Sequence, residues 1–293
     1  MKIIDVHNHP DWHGHNLDKF LANMDQHNIA KTWILSWECR KSDYSPSYAH
    51  VIPAEVLGSS TGPIPFSRCV SYVERAPERF VLGYCPDPLD PDACKKLEAA
   101  HRIYGAKVCG ELKSRTMYDS PDCIRLFRLA GELKMPVIFH LQYDMQPTCH
   151  DEWTEWWGGT IDAVERALQA CPDTIFLGHA PGFWIHISND DLWKTENYPP
   201  ANAPVTEGGR MPELLRKYPN LMCDMSAGSA CRALSRDPAF AKKFLLEFQD
   251  RVCYARDYFD NVHQEFINSL DLPEDVLAKI YAGNAERILE GYR

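Results

Sequence analysis

The sequence has no long apolar run and no paired-cysteine motif, and each absence narrows what the chain can be. No stretch approaches the roughly 20 apolar residues that cross a bilayer, and no charged segment leads into an apolar secretion signal. The 11 cysteines stand singly, without Cys-x-x-Cys spacing, which argues against a disulfide framework in a chain of this length. We therefore expect a cytoplasmic protein with reduced thiols and no membrane partner.

Positive charge is also scarce. The formal net charge is -10, and the lysines and arginines do not gather into a stripe, so the sequence shows no nucleic-acid footprint. The 293 residues, 45% of them hydrophobic, suffice for a large core. Since no low-complexity segment marks a boundary, we expect one domain over residues 1–293 with a small-molecule substrate.

Eight short and mostly apolar runs predict strands, each followed by a helical segment. They are Ile3–His9, Lys31–Trp37, Arg79–Cys85, Gly105–Leu112, Pro136–His140, Thr174–His179, Leu221–Ser226 and Arg251–Asp257. Strands that are apolar on both faces are typical of a parallel sheet covered by helices. Eight of them predict an α/β fold, a (β/α)8 TIM barrel with extended βα loops and extra C-terminal helices. The alternative, an open doubly wound sheet, lacks its Gly-x-Gly-x-x-Gly turn after the first strand.

The long connection 38–66 is rich in serine, proline and glycine. Long loops in compact domains are usually functional or disordered, and we expect this one, which carries aromatic residues, to border a pocket.

Histidines and acids stand at the ends of these runs. His7 and His9 are two residues apart on the first predicted strand. Side chains at this spacing point to the same face, so both imidazoles can bind one zinc ion. Glu111, His140, His179 and Asp257 end four later strands, where a barrel places its active site. The order of these residues predicts a site for one or two divalent ions. Zinc is favoured by the imidazoles, while manganese, iron or cobalt fit the same ligands.

Several segments together carry a family resemblance. They are Asp5-Val6-His7-Asn8-His9, the strand-end His140, Gly178-His179-Ala180, Arg256-Asp257-Tyr258 and the closing run from Gly283 to Leu289. In these the chain resembles the amidohydrolase superfamily, closest to the amidohydrolase-related branch that also includes non-oxidative decarboxylases. The resemblance implies His7, His9, His140 and Asp257 as metal ligands. It also implies that His179 either binds metal or polarises the substrate.

The fourth strand is where family patterns differ. Gly110-Glu111-Leu112 is similar to the Gly-Glu of TatD-type metal hydrolases, whose glutamate contacts two metals. Some superfamily members use a carboxylated lysine instead, but Lys107 lies four residues deeper, about 13 Å at ~3.3 Å per residue. By alternation Lys107, Cys109 and Glu111 share a face, with Glu111 nearest the open end.

Two reactions fit this ligand set. The first is hydrolysis of a small amide, ester or lactone by a metal-activated water, with Asp257 as general base and acid. The second is non-oxidative decarboxylation of a small aromatic or enoic acid, with Asp257 or His179 supplying a proton to carbon. Lys113, Arg115 and Arg232 are candidates for holding a substrate carboxylate.

Two further expectations concern partners. The acidic balance disfavours a TatD-like phosphoesterase or nuclease. Homo-oligomers are common among soluble proteins, and the terminal helices are a candidate interface.

Overall fold

The computed structural model describes residues 1–40, 43, 62–143, 156–196 and 198–291. Most of the 38–66 connection, which the sequence places beside a pocket, lies outside the described residues. No helix in the described ranges is both long and apolar enough to span a bilayer.

Eight parallel strands alternate with helices along the described chain. They are β1 Ile3–Asn8, β2 Ile29–Ile34, β3 Phe80–Leu82, β4 Cys109–Leu112, β5 Val137–His140, β6 Phe176–His179, β7 Leu221–Asp224 and β8 Val252–Cys253. The first three form one sheet and the other five a second, each in sequence order. Every pairing within the sheets is parallel.

Backbone hydrogen bonds join the two sheets at both edges. After β3, Tyr84 N donates to Val108 O at 2.9 Å, just before β4. Val6 N of β1 donates to Tyr254 O, one residue past β8, at 3.1 Å. Each strand therefore has a neighbour on both sides, in the order of a (β/α)8 barrel.

Helices follow the strands and the chain ends in additional helices, as the sequence predicts. They are α1 Leu17–Gln26, α2 Phe66–Arg75, α3 Ala93–Tyr104, α4 Pro121–Glu132, α5 Ile161–Ala170, α6 Pro181–Trp184, α7 Arg210–Lys217, α8 Ala227–Ser235, α9 Pro238–Glu247, α10 Val262–Ser269, α11 Glu274–Ala278 and α12 Asn284–Leu289. Sequence signals fix several starts. Ser120 accepts a hydrogen bond from Cys123 N, and Pro121 occupies the first turn of α4.

One apolar cluster fills the inside of the barrel and draws on seven of the eight strands and on Val108, the residue before β4. Its buried members are Ile4, Val6, Trp33, Leu35, Val108, Ile138, Leu177, Met222, Cys253, Ala255, Ala282, Ala285 and Ile288, with Val81 packed against them. A larger cluster joins the opposite strand faces to the helices. The interior is therefore a packed core, and polar side chains at the C-terminal strand ends stand above it.

On three strands the inward row continues by alternation to a polar residue. Ile138 leads to His140, Leu177 to His179, and Met222 to Asp224. On β1 and β4 the pairing register shifts instead, between Asp5 and Asn8 and between Cys109 and Leu112. Because of these shifts, simple alternation fails there, and Cys109 packs in the outer cluster rather than on the face of Glu111.

A buried ion pair ties β1 to the residues after β8. Asp5 accepts hydrogen bonds from Arg256 N and Arg256 Nε, both at 2.9 Å. Asp257 N, the next residue, donates to His7 O at 2.9 Å. The first and last strands are thus locked together at the end that carries the histidines.

Candidate metal centre

All six residues predicted as metal ligands meet at the C-terminal ends of the strands. Their ligand atoms form three overlapping groups, each within 4.8 Å: His7, His9 and Glu111; His7, His179 and Asp257; Glu111, His140 and His179. All but Asp257 are buried, and the Asp257 side chain is 14% exposed.

The measured pairs among four donor atoms are close to the spacing of ligands on one tetrahedral ion. His7 Nε2 lies 3.3 Å from His9 Nε2, which in turn lies 3.3 Å from Glu111 Oε2. Asp257 Oδ1 is 3.9 Å from His7 Nε2 and 3.7 Å from His9 Nε2. A tetrahedral zinc ion with bonds of ~2.0–2.1 Å separates its ligand atoms by about 3.4 Å. Asp257 Oδ1 has no hydrogen-bond partner among the described residues, so these residues fit a divalent ion.

The second oxygen of Glu111 faces a different pair of imidazoles. His140 Nδ1 donates to Glu111 Oε1 at 2.7 Å, and His179 Nε2 lies 3.7 Å from the same oxygen. One carboxylate thus faces two imidazole pairs, one with each of its oxygens, and these residues would be able to hold two ions.

Contacts behind the imidazoles orient them. His9 Nδ1 lies 2.9 Å from Leu35 O, and since a carbonyl only accepts, this nitrogen carries the proton and leaves Nε2 for a metal. His7 Nδ1 lies 2.6 Å from Asp224 Oδ2, and His179 Nδ1 lies 2.8 Å from Ser226 Oγ. Sequence reasoning missed Asp224 and Ser226.

A signal for Asp224 was nevertheless present in the sequence. Strand pairing sets His140 beside His179, and Gly178 beside Cys223. On β7, Asp224 therefore stands at the same height as the two histidines. It lies two positions after the inward-facing Met222.

The two carboxylates of the site differ in acidity. Burial tends to raise the pKa of Glu111, but hydrogen bonds from the surrounding imidazoles and the charge of Lys113 hold it well below its usual range. Burial raises the pKa of Asp257 to about 6, against the opposing charges of His7 and His9. Glu111 is therefore a permanent anion, whereas Asp257 exchanges protons close to neutral pH.

The pKa values of the imidazoles are also shifted in opposite directions. Burial lowers the pKa of His140, helped by the charge of Lys113, and lowers that of His179 well below its usual value, helped by the charge of His7. Burial also disfavours a charge on His7, but the charge and hydrogen bond of Asp224 outweigh it and raise the pKa of His7.

The three predicted substrate-binding cations lie in different surroundings. Lys113 is 8% exposed, and its Nζ lies 4.8 Å from the ring centroid of Trp37 and 4.7 Å from that of Trp157. Arg115 is half-buried, and its backbone N donates to Asp43. Arg232 is exposed, with its guanidinium carbon 5.2 Å from the ring centroid of Tyr198, and its described contacts include none of the six clustered residues.

Solved structures of similar fold cover nearly the whole chain. An uncharacterized TIM-barrel protein from Bordetella bronchiseptica matches with a TM-score of 0.64 at 14% identity, over 99% of each chain. A dihydroxybenzoic acid decarboxylase from Polaromonas sp. JS666, with bound manganese and the inhibitor 2-nitroresorcinol, matches with a TM-score of 0.60 at 15% identity, over 99% of this chain and 97% of its own. A probable 2-pyrone-4,6-dicarboxylic acid hydrolase from Acinetobacter baumannii, with citric acid bound, matches with a TM-score of 0.60 at 9% identity, over 99% of this chain and 100% of its own. These likenesses confirm the TIM-barrel fold.

Sequence comparison identifies the family. No curated protein matches the sequence. The family model described as Amidohydrolase matches residues 65–291, a range that contains Glu111, His140, His179 and Asp257 but not the strand with His7 and His9. Because the match covers well over half of the chain, the protein is an enzyme of the amidohydrolase family.

Proposed function

We propose that the enzyme is a metal-dependent hydrolase of a small-molecule amide, ester or lactone. The observation that carries the proposal is the spacing of His7 Nε2, His9 Nε2, Glu111 Oε2 and Asp257 Oδ1, at 3.3 to 3.9 Å in the measured pairs. A divalent ion bound by these atoms supplies Lewis acidity, lowering the pKa of water and polarising a carbonyl. Zinc suits the imidazoles, and manganese, which the similar decarboxylase contains, is the second candidate.

Asp257 is the proposed general base and acid. Its Oδ1 faces the imidazoles and has no hydrogen-bond partner among the described residues, which leaves Oδ1 for the proposed ion and the second carboxylate oxygen to receive the proton of an attacking water. With a pKa of about 6, it can also return that proton to the leaving nitrogen or oxygen. His179, neutral and buried, either binds metal or donates a hydrogen bond to the substrate carbonyl.

Lys113 is the proposed contact for an anionic group on the substrate. Its ammonium lies over two indole rings, and Lys113 follows Glu111 by two residues on the chain. The indoles hold the charge in place and exclude water around it, which strengthens a charge-assisted hydrogen bond to a carboxylate. That Arg115 and Arg232 also bind an anionic substrate group stays a prediction.

A second ion is proposed between Glu111 Oε1, His140 and His179. The 2.7 Å hydrogen bond from His140 to Glu111 has to open before both can bind the same ion. We therefore expect the second ion to bind more weakly than the first.

Decarboxylation is the second candidate function. It is supported by the fold likeness to the Polaromonas decarboxylase over 99% of this chain and by the position of Lys113 beside two indoles. In that reaction Lys113 orients the substrate, and Asp257 or His179 delivers a proton to the carbon that loses carbon dioxide.

Elemental analysis of purified wild type, Glu111→Ala and His140→Asn tests the metal site. We expect about two ions in the wild type and about one in each variant, as for a bridged pair. One ion in all three proteins would place Glu111 and His140 outside the coordination shell and give decarboxylation equal standing. A folded wild type that retains no ion after reloading with zinc or manganese would contradict the proposal.

Product analysis separates the two reactions. The metal-loaded enzyme is incubated with panels of lactones, esters and amides and with hydroxybenzoic acids. We expect hydrolysis products without carbon dioxide, whereas release of carbon dioxide alone would establish the decarboxylase.

A further inference from the structure

We propose that Asp224 and Ser226, at the end of β7, are positioning residues that fix the imidazoles of His7 and His179 for metal binding. This inference rests on the proposed function as a metal-dependent enzyme. The juxtaposition behind it is that one strand end contacts two imidazoles carried by two other strands, β1 and β6.

The contact with His7 is short and excluded from solvent. Asp224 Oδ2 lies 2.6 Å from His7 Nδ1, and both side chains are 0% exposed. Because a carboxylate only accepts, Nδ1 carries a proton, and Nε2 is the nitrogen that points towards His9, Glu111 and Asp257. Asp224 lies behind the ring relative to these groups, so it orients a ligand and is not one itself.

Asp224 is itself held on both sides. Ser226 N donates to Asp224 Oδ1 at 2.9 Å, and Trp184 Nε1 donates to Asp224 O at 3.0 Å. The first bond holds the carboxylate and the second holds the backbone of Asp224, and both favour the position from which Oδ2 contacts His7. A hydrogen bond from a ligand imidazole to a fixed carboxylate selects the tautomer and raises the basicity of the coordinating nitrogen.

Ser226 serves the second imidazole. Its Oγ lies 2.8 Å from His179 Nδ1, while Asp224 Oδ2 is 3.9 Å from the same nitrogen. The hydroxyl thus sets the ring plane of His179, with Nε2 directed at Glu111 Oε1, 3.7 Å away. Asp224 and Ser226 together orient two imidazoles, one at each of the two proposed ion sites.

Zinc affinity tests the proposal, measured by competition with a chromophoric chelator on the full chain. We expect Asp224→Ala to weaken the tighter site about 10- to 100-fold, with Asp224→Asn in between because it keeps an oxygen acceptor. Ser226→Ala is expected to weaken the second site. Ser229→Ala is the matched control, since Ser229 is equally buried and its hydroxyl has no hydrogen-bond partner among the described residues.

Nitrogen NMR of the histidines gives a readout that a merely structural role would not move. In the zinc-loaded wild type we expect a His7 Nδ1–H signal, assigned by its loss in His7→Asn, and we expect it to shift in Asp224→Asn. If Asp224→Ala does not fold, the proposal is tested by comparing the zinc affinity of Ser226→Ala with that of Ser229→Ala.

Two outcomes would overturn the inference. Folded Asp224 and Ser226 variants with zinc affinity within about twofold of wild type and an unchanged His7 signal would refute the positioning role and leave the proposed function standing. A wild type that binds no zinc and no manganese would remove both.

Discussion

Asp257 is held by its backbone in a conformation that few residues adopt. Its φ is 58°, in the left-handed region, which aspartate and asparagine tolerate better than most side chains. Its N–H donates to His7 O at 2.9 Å, and its carbonyl accepts from Trp12 Nε1 at 2.7 Å. The carboxylate is thereby aimed at the imidazoles by contacts that do not use the carboxylate itself.

Replacing that carboxylate should separate chemistry from folding. We expect Asp257→Asn to lower kcat at least ~100-fold, since an amide cannot accept the proton. The fold should persist because asparagine tolerates the same φ. Steady-state kinetics and circular-dichroism melting check both parts, with the exposed Asp260→Asn as control. A variant with more than a tenth of the wild-type kcat, well inside that ~100-fold range, would remove Asp257 from proton transfer.

Lys113 provides a test of substrate charge. We expect Lys113→Met to raise KM about 10- to 100-fold for carboxylate-bearing substrates, the value of a hydrogen bond to a charged group, and to leave neutral substrates unaffected. Lys194→Met is the matched control, because Lys194 also lies over an indole, 5.5 Å from the Trp193 centroid, but is exposed. An equal rise in KM for neutral substrates would speak against a carboxylate contact.

At the level of elements, the pair of Asp5 and Arg256 joins the first strand to the last. Both side chains are at most 1% exposed, so removing one leaves a buried charge without its partner. We expect Arg256→Met to lower the free energy of unfolding by about 3–5 kcal/mol, measured by urea denaturation. The double variant Asp5→Asn/Arg256→Met should recover part of this loss, and no recovery would mean that the two side chains act independently.

A second link joins the segments after β5 and β6 and is sensitive to pH. His186 Nε2 lies 2.6 Å from the Tyr143 hydroxyl. Burial lowers the pKa of His186 to about 4, so the unfolded chain takes up this proton at higher pH than the folded one. Neutral His186 therefore makes its full contribution to the free energy of unfolding above pH ~6.5, and this contribution is lost as the pH falls towards 4.

His186→Gln should flatten this dependence, because glutamine still accepts the tyrosine hydrogen bond but does not titrate. Urea unfolding of both chains at several pH values across the window, with metal removed, measures the difference. Parallel curves for wild type and variant would show that His186 does not titrate in this way.

For the molecule as a whole, the barrel could be predicted because its strands are covered on both sides and therefore appear as apolar runs. β8 is where this failed in detail. The sequence predicts a strand over 251–257, but only Val252–Cys253 pairs with β7. From Tyr254 onward the backbone bonds to β1 and then adopts the positive φ of Asp257, and neither feature has a local sequence signal.

The site was predictable to the extent that its groups stand at strand ends. Asp224 stands there too, but an aspartate after an apolar run also begins many helices, and its partner His7 is 217 residues away. The positions of Lys113, Arg115 and Arg232 depend on loops, which alternation does not govern. The shared face predicted for Cys109 and Glu111 was wrong because the register of β4 shifts between them.

Metal removal should lower the stability of the whole fold. An ion that binds only the folded state adds about 4 kcal/mol at a thousandfold excess over its Kd. We expect chelation to lower the melting temperature of the wild type and to leave that of His7→Asn unchanged. A wild-type melting temperature that does not respond to a strong chelator would contradict a bound ion at these residues.

The pairing of β1 with the residues after β8 also sets when the site can exist. Asp5 and Arg256 are 251 residues apart, so a ribosome adding 5–20 residues per second takes roughly 12 to 50 s between them. Throughout that interval His7 and His9 have been made, but Asp257 and the pairing that holds β1 in place have not. The complete set of proposed donors therefore exists only after Asp257 has been made, and an ion held by all of them would bind late in synthesis or after it.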